Sequence, residues 1–197
     1  KPDYQRVWAR NHINKPEDGI RLESPYFFGC NSFIDSEIGR VLDAAQQYAP
    51  DALIIYTSDH GEMLSSHNLW AKGPAAYEEI THIPFMMMGA GLPSGKVDAL
   101  PVSHLNLTPT ILELMGTEIP QTVEGKSLVP QMVNGERVND YVFMEFGRYE
   151  TDHDGFGGYQ PMRAVFDGRY KLSINLLSTD ELYDLKADPD ELINCID

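Results

Sequence analysis

The amino-acid sequence predicts an α/β fold in which a mixed, largely parallel sheet lies between helices, followed by a small antiparallel sheet with a helix. Three observations carry this expectation. Within residues 26–47, Phe33, Ile34, Ile38, Val41, Leu42 and Ala45 fall on one face at helical spacing. The run Leu53-Ile54-Ile55-Tyr56-Thr57 is short, continuously apolar and β-branched, which suits a strand covered on both faces, as in a parallel sheet. Finally, Arg163-Ala164-Val165-Phe166 and Arg169-Tyr170-Lys171-Leu172 flank Asp167-Gly168, a pair that accepts positive φ and so marks a hairpin.

The remaining elements follow in order. Residues 1–25 are polar and mixed, broken by Lys15-Pro16 and Ser24-Pro25, and read as a loop with one helical turn at most. Pro50 closes the helix that precedes the first strand. Residues 61–82 read as a Gly-rich polar loop with a short helical stretch around Tyr77-Glu78-Glu79. Ile83-Pro84-Phe85-Met86-Met87-Met88 reads as a second buried strand, its proline tolerated at the start and its methionines filling core. Asn106 or Thr108 can cap a helix with Pro109 in its first turn, Ile111, Leu112, Leu114 and Met115 on its inner face, and Gly116 as its stop. The texture changes near residue 138, and Tyr141-Val142-Phe143-Met144-Glu145-Phe146 reads as a strand of the appended sheet.

Bulk composition narrows the function. The chain has 197 residues, 42% of them hydrophobic and 23% charged, enough for one globular core and a small satellite. The formal net charge of −15 argues against nucleic-acid and anionic-membrane partners. It also repels an anionic substrate at long range, so such a substrate needs a local cation. No stretch approaches the length of a transmembrane helix. Cys30 and Cys195 lie far apart and read as two unpaired thiols, with a disulfide left open. The chain opens at Lys1-Pro2 without Met, so the sequence leaves localisation undetermined between periplasm and cytoplasm, and oligomeric state unread.

Ser58-Asp59-His60-Gly61-Glu62 stands where the first strand ends, the position at which open α/β sheets bind ligands. An adjacent carboxylate and imidazole can share one divalent cation, and Gly61 lets the backbone turn there. The same residues also fit a turn held by an Asx hydrogen bond beside a solvated histidine, and taken alone they leave both readings open. Lys72, thirteen positions after Asp59, is likewise a surface lysine or a local cation when read by itself.

Several further segments follow in a fixed order: Trp70-Ala71-Lys72-Gly73, Tyr77-Glu78-Glu79, Ile83-Pro84, Val102-Ser103-His104-Leu105-Asn106-Leu107-Thr108-Pro109-Thr110, Glu124-Gly125-Lys126-Ser127-Leu128, and Leu182-Tyr183-Asp184-Leu185 with Asp188-Pro189. In this order and spacing the chain, from about Ser24 to Asp197, resembles the C-terminal half of the type I sulfatases of the alkaline phosphatase superfamily. The resemblance implies an alkaline-phosphatase-like core, with residues 1–138 as the C-terminal part of the catalytic domain and 139–197 as a small, incomplete antiparallel subdomain. It implies that Asp59 and His60 are the second pair of ligands to one divalent ion, calcium before magnesium or manganese. It implies that Lys72 holds a sulfate oxygen, as both a catalytic and a substrate-binding residue. The family's Cys/Ser-x-Pro-x-Arg nucleophile motif, whose Cys becomes formylglycine, is absent from this sequence, as are the first Asp-Asp metal pair and an upstream His. The expectation is therefore that this chain does not turn over by itself and works with the N-terminal half of the same enzyme.

Residues 145–163 look like a subgroup of bacterial sulfatases compared with enzymes that desulfate heparan-type glucosamine. That likeness implies contacts from Arg148, His153, Asp154 and Arg163 to a sulfated sugar, against the alternative of a solvated Gly-rich loop. His67 and His82 are candidate site-lining residues, although relatives commonly carry Arg in place of His82. His104, just before a helix, reads as structural. Two rivals stay beside the sulfatase expectation: a phosphoester or phosphonate monoester hydrolase of the same superfamily, and a non-catalytic module that kept the fold.

Overall fold

The structure, a computed structural model, describes residues 1–12, 25–89, 91–147 and 159–196. Helix α1 spans Asp3–His12 and is longer than the single turn expected from the sequence. Its polar composition hides two aromatics four residues apart, Tyr4 and Trp8, both fully buried. One helical turn places them on the same face, so packing rather than propensity stabilises the helix. Gly73 lies against the Trp8 ring, where a β-carbon would collide with it.

Helix α2 spans Pro25–Tyr48, close to the expected bounds. Asn31 and Ser32 return their side chains to the carbonyls of Phe27 and Phe28 one turn back. None of its residues is buried among the described parts of the chain, and Phe33, Ile34 and Val41 of the expected inner face stand exposed.

Strand β1 (Ile54–Thr57) pairs with β2 (Phe85–Met88), Ile54 opposite Met88 and Thr57 opposite Phe85. The pair is antiparallel, and no parallel neighbour to either strand lies among the described residues. Tyr56, Met86 and Met88 alternate outward and are exposed, so of the three methionines only Met87 turns inward within this chain. Pro84 sits just outside the ladder, where its missing N–H costs nothing.

Between the strands lie a 3-10 turn at Ser66–Asn68 and the short helix α3 (Glu78–Thr81). After β2 come a 3-10 turn at His104–Asn106, helix α4 (Leu107–Leu114) and helix α5 (Val129–Asn134). Asn106 is the N-cap residue of α4, and Gly116, in the left-handed region at φ 67°, follows its end. Strands β3 (Val142–Phe146), β4 (Met162–Phe166), β5 (Tyr170–Asn175) and β6 (Glu181–Asp184) form a four-stranded antiparallel meander. The β4–β5 turn falls at Asp167-Gly168, where Asp167 Oδ1 accepts the N–H groups of Arg169 and Tyr170 and Gly168 takes φ 100°. The helix expected alongside this sheet is not found among the described residues after 139; turns fill 185–190 instead.

The main core joins α1, the segment 63–80 and β6 through Trp8, Met63, Leu69, Ala75, Tyr77, Ile80 and Tyr183. A smaller cluster of Ala76, Met162 and Ala164, with Met144 and Phe146 packed on it, ties the meander to the same segment. The inward face of β5 and β6 is largely polar, carrying Lys171, Ser173, Asn175 and Glu181, all buried. Burial of Lys171, Asn175 and Glu181 is tolerated because each has hydrogen-bond or ion-pair partners. Glu181 accepts from the hydroxyls of Tyr77 (2.8 Å) and Tyr183 (2.9 Å) and from the amides of Gln5 and Asn175. Burial, reinforced by the Glu181 charge, holds both phenols protonated. Lys171 meets Glu78 at 2.6 Å and Glu191 at 2.9 Å and donates to the Ala76 carbonyl. Both cysteines are free and exposed.

Candidate metal and anion site

The end of β1 is a four-residue corner, Ser58 to Gly61, held within itself by side-chain-to-backbone hydrogen bonds. Ser58 Oγ donates to the His60 carbonyl at 2.9 Å, and Asp59 Oδ1 accepts the His60 N–H at 2.9 Å. That backbone hydrogen bond is the chief cause that lowers the Asp59 carboxyl below its ordinary range. This contact reaches the N–H of the next residue rather than the one two residues on, so it is not the Asx turn that the sequence allows. It engages only one carboxylate oxygen and leaves Oδ2 outward, on a side chain 83% exposed.

The corner's exit is fixed by α3. Gly61 N–H donates to the Ile80 carbonyl at 2.8 Å. The Glu79 carbonyl lies where a β-carbon on residue 61 would stand, so this position requires glycine by contact. At the entrance, His104 Nε2 lies 2.9 Å from the Ser58 carbonyl.

His60 has a defined tautomer. Its Nδ1 is 2.8 Å from the Gly61 carbonyl, which can only accept, so Nδ1 carries the proton and the neutral ring keeps a lone pair on Nε2. Nε2 lies 2.6 Å from Lys72 Nζ, from which it accepts, and 3.4 Å from Asp59 Oδ2. Three chemically distinct groups thus converge: an outward carboxylate oxygen, an imidazole lone pair and an ammonium.

The residues fit a divalent ion on their donor chemistry, the carboxylate suiting a hard cation such as calcium or magnesium and the imidazole leaning toward manganese or zinc. Two ligands bound side by side at about 2.1–2.4 Å from one cation stand roughly 3.0–3.4 Å apart. The Asp59 Oδ2 to His60 Nε2 separation of 3.4 Å falls at the edge of that range. In this structure the positive charge beside the two donors is the Lys72 ammonium.

Lys72 is delivered by a strained loop. Leu64, Ser65, His67, Asn68 and Ala71 all take positive φ, between 44° and 75°, without being glycine. Met63 and Leu69, each at most 1% exposed, anchor the loop, and Met63 N–H pairs with the Ala71 carbonyl directly before Lys72. Nonglycine residues in this region persist only where the surroundings over-determine them, and they cluster at functional sites. His67 and Asn68 are residue types that favour this region, whereas Leu64, Ser65 and Ala71 do not signal it.

The other candidates lie elsewhere. His67 stacks on Tyr77 at 3.9 Å between ring centroids, 12° from parallel. Its donor atoms and those of Glu79 and Glu191 lie within 4.8 Å of one another, a grouping that could in principle hold a cation. The Lys171 ammonium already neutralises Glu191, so the trio reads as part of a buried ionic cluster. His82 is exposed and pairs with Glu78 one helical turn back at 2.9 Å. Arg163 faces Glu145 across the β3–β4 ladder at 2.9 Å, more than half exposed. Arg148, His153 and Asp154 lie outside the described residues.

A family model described as Sulfatase matches residues 15–117. The chain is 40% identical over its full length to the protein named uncharacterized sulfatase YidJ of Escherichia coli, spanning 39% of that protein. It is 33% identical over 98% of its length to the choline-sulfatase of Rhizobium meliloti, of which it spans 37%. Among solved structures, BT4656 in complex with its substrate D-glucosamine-2-N,6-O-disulfate aligns with a TM-score of 0.72 at 26% identity, over 82% of this chain and 33% of that one. The phosphonate monoester hydrolase of Silicibacter pomeroyi aligns with a TM-score of 0.67 at 29% identity, over 79% of this chain and 33% of that one. The chain thus spans about two fifths of the length of these relatives. Its fold is the alkaline-phosphatase-like one expected from the sequence. With more than half of its residues inside the matching family model, this chain belongs to the sulfatase family.

Proposed function

We propose that this chain is the C-terminal part of a metal-dependent hydrolase of sulfuric esters or sulfamates, acting on a sulfated carbohydrate. In this reading residues 1–138 complete the catalytic core and residues 139–197 form an accessory antiparallel subdomain. The observation that carries it is the convergence of Asp59 Oδ2, His60 Nε2 and Lys72 Nζ at the end of β1. Asp59 and His60 would hold one divalent ion, calcium or alternatively magnesium or manganese, together with ligands from the N-terminal half. When bound, such an ion would polarise the sulfate and favour the ionised nucleophile, a formylglycine hydrate supplied from outside this chain.

The chain's own residues set the rest. His60 Nε2 has a single lone pair, which either accepts from Lys72 or ligates an ion. Ligation therefore frees the Lys72 ammonium to donate to a sulfate oxygen, where it would offset charge growing on the sulfuryl group. The need is sharpened by the net charge of −15, which makes a local cation a requirement for anion capture. Arg148, His153 and Asp154 are assigned to sugar contacts on the strength of their resemblance; Arg163, paired with Glu145 through Nη2 and more than half exposed, keeps further donors for such a contact.

The likeness to a phosphonate monoester hydrolase favours a second reading, hydrolysis of phosphonate or phosphate esters at the same site. The test is a paired assay of the full-length enzyme on sulfate and phosphate monoesters of one leaving group. A clear preference for sulfate supports the proposal, and a preference for phosphate replaces it. In the same assay Lys72→Ala should lower turnover by about 10²-fold or more while metal content stays unchanged, because an ammonium is no ligand. Near-normal turnover in that variant would remove Lys72 from the site.

A further inference from the structure

We propose that His104 is a positioning residue for the metal-ligating corner, acting through the Ser58 carbonyl. This rests on the metal reading of Asp59 and His60. The ladder between β1 and β2 ends at the Thr57–Phe85 pair, so among the described residues the Ser58 carbonyl has no strand partner, and it also accepts from the Thr57 hydroxyl at 3.5 Å. A carbonyl only accepts, so the 2.9 Å contact assigns the proton to His104 Nε2 and makes its ring the donor. Among the described residues the corner is tied to the rest of the chain at both ends: Ile80 holds Gly61 at its exit and His104 holds Ser58 at its entrance. Between them Asp59 and His60 are set by contacts within the corner and by Lys72.

His104 is itself mounted on a fixed base. Ser103 and Asn106 form a reciprocal capping box around the 3-10 turn that carries it. Asn106, 2% exposed, donates to the Lys126 carbonyl at 2.7 Å and accepts from the Asn139 amide at 2.9 Å. Gly125 abuts the Leu105 carbonyl, where a β-carbon would not fit. The histidine ring is thus an exposed arm on a buried hub, reaching 46 residues back along the sequence to the ligand corner. Partners that orient a ligand from behind typically change metal affinity by about 10- to 100-fold when lost.

The experiment uses the full-length enzyme with His104→Ala, His104→Gln and Asp59→Ala. Calcium affinity is measured by titration calorimetry, and amide hydrogen exchange of residues 58–61 is followed in metal-free protein. His104→Ala should weaken calcium by about 10-fold or more and speed exchange at the corner without lowering the thermal midpoint. His104→Gln, whose amide keeps a donor, should recover most of both. Wild-type affinity and exchange in His104→Ala overturn the proposal, as does a Gln variant no better than Ala. If Asp59→Ala binds calcium as tightly as wild type, the underlying metal reading falls; if Asp59→Ala loses calcium and His104→Ala does not, only the role of His104 falls.

Discussion

Lys171→Met tests whether the appended sheet is keyed to the candidate site through charge. Lys171 is 2% exposed, and its ammonium lies between Glu191, 1% exposed, and the partly buried Glu78. Burial already raises the Glu191 carboxyl above its ordinary value, and the Lys171 charge opposes that rise. Methionine fills similar volume but leaves Glu191 charged and without its counter-ion. Breaking a buried pair in this way costs about 3–5 kcal/mol, whereas removing both partners together is often close to neutral. Equilibrium urea unfolding of the full-length protein should show a loss in that range for Lys171→Met at neutral pH, and a much smaller one for Lys171→Met with Glu191→Met. The sign with pH follows from the raised carboxyl. The penalty is complete above the folded pKa and vanishes below the unfolded value, 4.5, so the single variant's deficit should shrink as pH falls toward 4.5. The consequence for function runs through α3: Lys171 grips Ala76 and Glu78, and the same helix offers the Ile80 carbonyl that holds Gly61. A loss below about 1 kcal/mol, or a double variant as unstable as the single one, would refute this reasoning.

Two further outcomes follow from contacts in the structure. Gly61→Ala should destabilise by about 1–3 kcal/mol and weaken metal retention, because the new methyl meets the Glu79 carbonyl; thermal unfolding and metal analysis check both. The Arg169 guanidinium beside Asp184 holds that carboxyl down at about 2 from 3.8, so an NMR titration should find it there and Arg169→Met should return it toward the ordinary value. Stability from this pair is present above pH 3.8 and is lost as pH falls toward 2, a loss that Arg169→Met should not show.

The parts of the fold governed by local pattern were legible in the sequence. Helix α2, the strand leading into Asp59 and the Asp167-Gly168 hairpin each follow from periodicity or turn chemistry acting over a few residues. Helix α1 was not, because Tyr4 and Trp8 gain their order from Pro74, Gly73 and β5, all more than sixty residues away. The antiparallel sense of β1 and β2 was missed for a related reason: apolar, β-branched texture reports coverage, not direction. At the site, Asp59, His60 and Lys72 came from motif spacing and do meet in space. His104 and Gly61 act through backbone carbonyls, which leave no mark in side-chain identity beyond a capping pattern and a glycine. His67 illustrates the converse, a histidine beside the motif whose ring turns instead to Tyr77 and the Glu79–Glu191 pair.

The proposed function requires Asp59 and His60 to be ligands of one catalytic divalent ion. Metal content by mass spectrometry, measured together with turnover of a sulfate ester, tests it most directly in full-length wild type and Asp59→Ala. The expected result is one divalent ion per wild-type molecule and the joint loss of ion and turnover in the variant. Asp59→Ala protein that keeps its ion and its turnover would contradict it.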